Sequence, residues 1–256
     1  MCVGAFWLGG LICAIAQGIL HIYILFVPDM LMCIAFTLCT IGLVGAIQTA
    51  TGFQFKMVGV GGMGAQVPLS GFAAGITTCI LMERAAGHPM GKSIIRGYKI
   101  PAILAGTAFL FGFIGALITK FAGPITLAAS PPNTGVMIFI GAFIVGGIIC
   151  ACCQFIQMVT KLGFVGTLTV LMAFGAACGV LGWSGPMGGF AQMGFIAPLS
   201  GFAEFCYQCF MGVFSSSFIS IITLILVVIF LWIVATICAI VGRVPALPPA
   251  AEETTA

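Results

Sequence analysis

The apolar and polar positions of this chain alternate in long blocks rather than residue by residue. Val3–Val27 and Met30–Ala50 are continuous apolar runs joined at Pro28 and Asp29. Pro101–Thr119, Gly135–Val159, Phe164–Trp183 and Phe218–Gly242 are further runs of the same kind. Each is close to the ~20 residues a helix needs to cross the hydrocarbon core of a bilayer. None shows the two-residue alternation of a membrane barrel strand, so the runs are predicted to be helices. Two stretches break the pattern. Gly52–Gln66 and Ser184–Gly194 are rich in glycine, and each leads to a proline, Pro68 or Pro198, that opens a shorter apolar run. Proline is favoured at a helix start, where its missing N–H is not needed. These segments are predicted to be re-entrant half-helices. Glu83–Lys99 is a clearly polar loop, and Lys120–Thr134, with Pro124, Pro131 and Pro132, reads as a linker.

The blocks repeat. Phe6–Gln17 aligns with Phe143–Gln154 and shares the glycine pair, the cysteine and the glutamine at matching places. Pro68–Ala73 is identical to Pro198–Ala203. The division that follows is a first membrane repeat over 1–125, a linker over 126–134, a second repeat over 135–242 and a disordered tail over 243–256. With re-entrant segments each half crosses three times and the halves are inverted. With full crossings each half crosses four times and the halves are parallel. Cytoplasmic loops are enriched in Lys and Arg, and the inverted arrangement puts seven of the eight basic residues on one side, leaving Lys120 opposite. The parallel arrangement splits them five to three. The expected fold is therefore an all-α polytopic membrane protein of two tandem inverted repeats. It has about six transmembrane helices, two re-entrant elements and both termini in the cytoplasm.

Composition excludes the other classes. Of 256 residues, 62% are apolar and 5% charged, against about 25% charged in a soluble domain. The net charge of +3 is too thinly spread to suggest nucleic acid. The N-terminus lacks a basic region and a small-residue cleavage pattern, so no removable signal peptide is expected. With two His and five acidic residues there is no catalytic constellation and no metal ligand set; neither enzyme activity nor a cofactor is expected. The twelve cysteines read as small apolar helix fillers, with Cys206 and Cys209 the alternative of a redox pair.

Candidate chemistry concentrates at the duplicated motif. A half-helix N-terminus inside a bilayer offers unsatisfied N–H donors and a positive dipole end, which suits an anion. Pro68, Ser70 and Gly71 with Pro198, Ser200 and Gly201 are thus the candidate substrate-binding or pore-lining residues, the competing reading being tight glycine-mediated packing. Glu204 joins them as an ionisable residue in an apolar run, where such residues are expensive and usually functional; the corresponding first-half residue is Ala74. Glu83 beside Arg84 reads as a solvated loop-edge pair. Gln17 and Gln154 read as interhelical hydrogen-bonding residues.

Leu8–Cys13 with Gln17, Val67–Ala73, and Phe111–Ile118 before Lys120 together resemble the stage V sporulation protein A family, in particular its small AC and AE membrane subunits. The chain departs from that pattern in carrying two units where members usually carry one. It also has Ala74 and Glu204 where the family motif has Asn. The resemblance implies movement of dipicolinic acid, a small anionic solute, with calcium as its chelate, across the spore inner membrane during sporulation and germination. It implies other membrane subunits and the bilayer as partners, and no nucleic acid. A non-conducting scaffold of such a complex, and a general small-solute or stretch-activated channel, are the alternatives.

Overall fold

The computed structural model describes residues 1–125, 127 and 134–244. Most of the expected linker and tail, including Pro131 and Pro132, lies outside the described residues. The apolar runs are helices: α1 (Cys2–Ile24), α2 (Met30–Ala50), α6 (Lys99–Ala122), α7 (Val136–Val159), α8 (Phe164–Val180) and α12 (Phe218–Val241). Between them lie α3 (Phe53–Gly61), a 3₁₀ turn (Gly62–Ala65), α4 (Leu69–Ala85), α5 (Met90–Gly97), α9 (Ser184–Phe190), α10 (Met193–Ile196) and α11 (Leu199–Phe214). Among the described residues the only β-pairing is an isolated bridge between Pro68 and Pro198.

Five helical segments are long and apolar enough to cross a membrane: α1, α2, α5–α6 taken together, α7 and α12. The sixth expected span is shorter than its apolar run suggests. α8 has 17 residues, because Leu181–Trp183 form a turn around Gly182, whose φ of +68° is one that glycine adopts at no steric cost. α2 starts where it does because the Asp29 carboxylate accepts from the Leu31 N–H at 2.8 Å.

The helix ends gather at two levels. At one, Cys2 meets Met158, the Arg84 guanidinium donates to the carbonyls of Ala239, Ile240 and Gly242, and the Arg243 N–H donates to Ala50. At the other, the Lys120 ammonium lies 4.4 Å from the Phe214 ring centroid and the Tyr207 and Thr119 hydroxyls are 3.1 Å apart. We call these the Arg84 end and the Lys120 end.

α1 and α7 run antiparallel through the middle. A Cβ on Gly9 would strike the Cys150 sulfur, one on Gly146 the Cys13 sulfur, and Gly10 and Gly147 lie against Phe143 and Phe6. Small residues permit this close approach, which is what holds helices together where lipid removes the hydrophobic drive. α2 packs on α4, and α8 on α11. The closing helices cross over: α6 packs on α8 and α11, whereas α12 packs on α2 and α4. The centre is apolar, with Leu69, Leu199 and the stacked rings of Phe72 and Phe202 buried there.

Candidate functional site

α4 and α11 begin at the same point. Pro68 and Pro198 precede the first residue of each helix, with ψ near 155° rather than helical values. In that extended form the two segments pair antiparallel. The Leu69 N–H donates to Ala197 at 2.7 Å and the Leu199 N–H to Val67 at 2.9 Å. Gly71 and Gly201 donate back to the Pro68 and Pro198 carbonyls at 2.6 and 2.8 Å. The predicted convergence of half-helix N-termini is therefore present in geometry. The donors of Leu69 and Leu199 are already occupied by the opposite segment.

The serines sit inside this joint. Ser70 is 6% exposed and Ser200 0%. Each lies on α2 or α8 so closely that a Cβ on Gly45 would fall 2.1 Å from the Ser70 carbonyl oxygen, and one on Gly175 1.9 Å from that of Ser200. The joint is packed backbone against backbone. The Ser200 hydroxyl is buried with no hydrogen-bond partner, which is uncommon for a buried polar group.

Irregular backbone at membrane depth must be satisfied by the protein itself, and the two glutamines do this across the halves. Gln154, on α7, accepts from the Met63 N–H at 2.8 Å; Gln17, on α1, accepts from the Met193 N–H at 2.9 Å. They bridge elements by hydrogen bonds as expected, to backbone of the segments that lead into α4 and α11. Gln17 also donates to the Gln192 side chain at 2.6 Å and approaches His21 at 3.1 Å. Among the differences between the two loops, one bears directly on these glutamines. Gly62 (φ +50°) stands where a Cβ would fall 2.1 Å from the Gln154 carbonyl oxygen, and Gln192 (φ +35°) takes the corresponding place in the other half.

Glu204 is not part of the joint. It lies five residues beyond Leu199 along α11, a rise of about 7.5 Å. Its side chain is 2% exposed and accepts from the Gln208 amide. Gln208 and Tyr207 line a recess of about 430 Å³ near the Lys120 end, with Pro124, Ile125, Gly179 and Gly182. The Tyr207 ring sits between Gly115 of α6 and Gly179 of α8, where a Cβ would fall 3.3 and 2.6 Å from it. The only sequence signal for this slot is the pair of small residues, which many helix contacts share.

The expected Glu83–Arg84 pair is not the arrangement found. Arg84 reaches α12, capping its last carbonyls as basic residues do at helix C-termini. Glu83 instead lies 3.2 Å from His88 and 3.7 Å from Arg96. Cys206 and Cys209 are buried, unbonded thiols, and among the described residues no group of three or more His, Cys, Asp or Glu could hold a metal ion.

With this geometry in hand, comparison with known proteins is informative for the first half. Residues 1–118 match the family model for SpoVAC/SpoVAEB sporulation membrane proteins. Stage V sporulation protein AC of Bacillus subtilis (strain 168) is 34% identical over 118 residues, covering 46% of this chain and 75% of that protein. No solved structure matches. The matched residues run from α1 into α6 and include Gln17, Gly45 and Pro68–Gly71. With over a third of those positions identical, this chain belongs to the SpoVAC/SpoVAEB family of sporulation membrane proteins.

Proposed function

We propose that this chain is a subunit of a sporulation solute channel that moves dipicolinic acid, with calcium as its chelate, across the spore inner membrane, inward during sporulation and outward at germination. The observation that carries this reading is the family match over the first half. The antiparallel α1–α7 pair and the crossing at Pro68 and Pro198 support two inverted repeats, with the Arg84 end and both termini in the cytoplasm, where basic residues concentrate. In this reading Pro68, Ser70, Gly71, Pro198, Ser200 and Gly201 form the narrowest part of the path in its closed form. The unpartnered Ser200 hydroxyl and the α11 N-terminus supply donors for a carboxylate once the joint parts. Glu204, buried behind Gln208 on the Lys120 side of the joint, would face the path once the joint parts.

A second reading, a non-conducting scaffold, is favoured by the close packing of Gly45 and Gly175 on the serine backbones. Spore dipicolinate, read by terbium fluorescence, separates the two. A strain lacking the gene is expected to lose spore dipicolinate, and the wild-type gene to restore it. Ser200→Ala removes no hydrogen bond, so it is expected to leave membrane level and thermal stability unchanged while lowering spore dipicolinate. Full restoration by Ser200→Ala argues for the scaffold, and normal dipicolinate in the deletion strain removes the sporulation channel altogether.

A further inference from the structure

Among the described residues, the connection after α4 at the Arg84 end carries a helix that the connection after α11 does not. In the second half α11 passes into α12 through Ser215–Ser217, whereas in the first half α5 is inserted between α4 and α6. α5 holds itself against α4 by one face. Ser93 and Gly97 are buried, the Ser93 hydroxyl donates to the His88 carbonyl at 3.1 Å, and a Cβ on Gly97 would fall 2.8 Å from the Ile80 backbone.

The opposite face is of a different kind. Lys92, Arg96 and Lys99 are exposed and spaced by four and three residues, which places them in one row along α5 and the start of α6. Ile95 stands within that row at 75% exposure. The height of the row is set by neighbours. Arg96 shares Glu83 with His88, and the adjacent Arg84 caps the carbonyls that end α12. The last turn of a spanning helix marks the boundary between hydrocarbon and headgroups, so the row lies at headgroup level.

The charge at this end is strongly one-signed. Lys56, Arg84, Lys92, Arg96, Lys99, Lys161 and Arg243 gather here, and Glu83 is the only acidic residue beside them among the described residues. Arg84 is committed to α12 and Arg96 partly to Glu83, leaving Lys92 and Lys99 as the uncompensated members of the row. An exposed isoleucine between cations at headgroup depth matches the amphipathy of a phospholipid, with phosphate outside and acyl chain within.

We infer that Lys92, Ile95, Arg96 and Lys99 form a docking row for an anionic phospholipid headgroup in the leaflet at the Arg84 end. The ammonium groups meet the phosphate and Ile95 meets the upper acyl chain. This rests on the chain spanning a membrane and not on which solute it moves.

The test uses the full chain in nanodiscs of mixed phosphatidylcholine and phosphatidylglycerol, with retained lipid counted by native mass spectrometry. The wild type is expected to retain phosphatidylglycerol over phosphatidylcholine by roughly tenfold. Lys92→Gln with Lys99→Gln is expected to abolish that preference at an unchanged melting temperature. Ile95→Ser is expected to lower retention of both lipids. An equal preference in the wild type and the double variant overturns the inference. So does displacement of phosphatidylglycerol by inorganic phosphate at equal concentration, which makes this a free-anion site. Loss of a co-purifying protein with lipid preference intact assigns the row to a protein partner instead and overturns it as well.

Discussion

The two halves of the molecule use the same parts to make the joint and different parts to close their ends. At the joint the same contacts recur in both. Gly45 packs on Ser70 as Gly175 packs on Ser200, and Gln154 holds Met63 as Gln17 holds Met193. Away from it they diverge. Where α4 ends in Arg84, reaching carbonyls of α12, α11 ends in Phe214 beneath the Lys120 ammonium. Where α4 carries Ala74, Thr77 and Thr78, α11 carries Glu204, Tyr207 and Gln208. Geometry shared by both halves is what two crossing segments need to meet inside lipid. Chemistry found in one half only is free to serve one face of the membrane.

The steepest way to break the comparison is at the glycines. Gly45→Leu and Gly175→Leu each drive a side chain into backbone that cannot move aside, since the contacted oxygens belong to α4 and α11. Each is expected to destabilise by about 3 kcal/mol or more, equally in the two halves, and to collapse the monodisperse peak in fluorescence-detected size exclusion. An effect at one glycine only would show that the halves bear load unequally.

The glutamines sharpen the comparison at intermediate strength. Gln154→Ala leaves the Met63 N–H without its partner and is expected to destabilise by about 1 kcal/mol. Gln17→Ala frees the Met193 N–H and the Gln192 side chain together, so about 2 kcal/mol is expected. Thermal denaturation in one detergent ranks them, and a reversed order would mean that the Gln192 contact contributes nothing.

The smallest difference is at the ends. Arg84→Ala removes a cap on α12 and is expected to lower stability by about 1 kcal/mol. Lys120→Ala removes a solvent-exposed cation over Phe214 and is expected to give a change too small to resolve. Equal losses would contradict the asymmetry of the ends.

How much of this could be read from the chain differs by element. The spans were legible because continuous apolar runs of bilayer length have one outcome in lipid, and α8 fell short only because Gly182 turns the chain before Trp183. Pro68 and Pro198 were legible as helix starts through the duplicated motif around them. The partners of each helix were not. Hydropathy is blind to which neighbour a helix chooses, so the packing of α6 on α8 and α12 on α2 left no trace in the pattern. Arg84 misled for a related reason: the adjacent acid was visible, whereas the α12 carbonyls, over 150 residues away, were not. The slot that holds Tyr207 is not legible because it is defined by absences, the missing side chains of Gly115 and Gly179.

The crossing of the closing helices has a mechanical consequence. α2, α4 and α12 pack together, as do α8, α11 and α6, and the two groups meet where α12 also packs on α11. The chain passes between these groups through Tyr98 at the Arg84 end and through Ser215–Ser217 at the Lys120 end. An extended residue spans about 3.5 Å, so neither tether has slack for the groups to part sideways by more than roughly a helix diameter. Two tethers near opposite ends leave a twist about the line joining them as the relative motion that lengthens neither. A movement that separated Pro68 from Pro198 without stretching either tether would follow that twist, as the blades of shears open about their rivet.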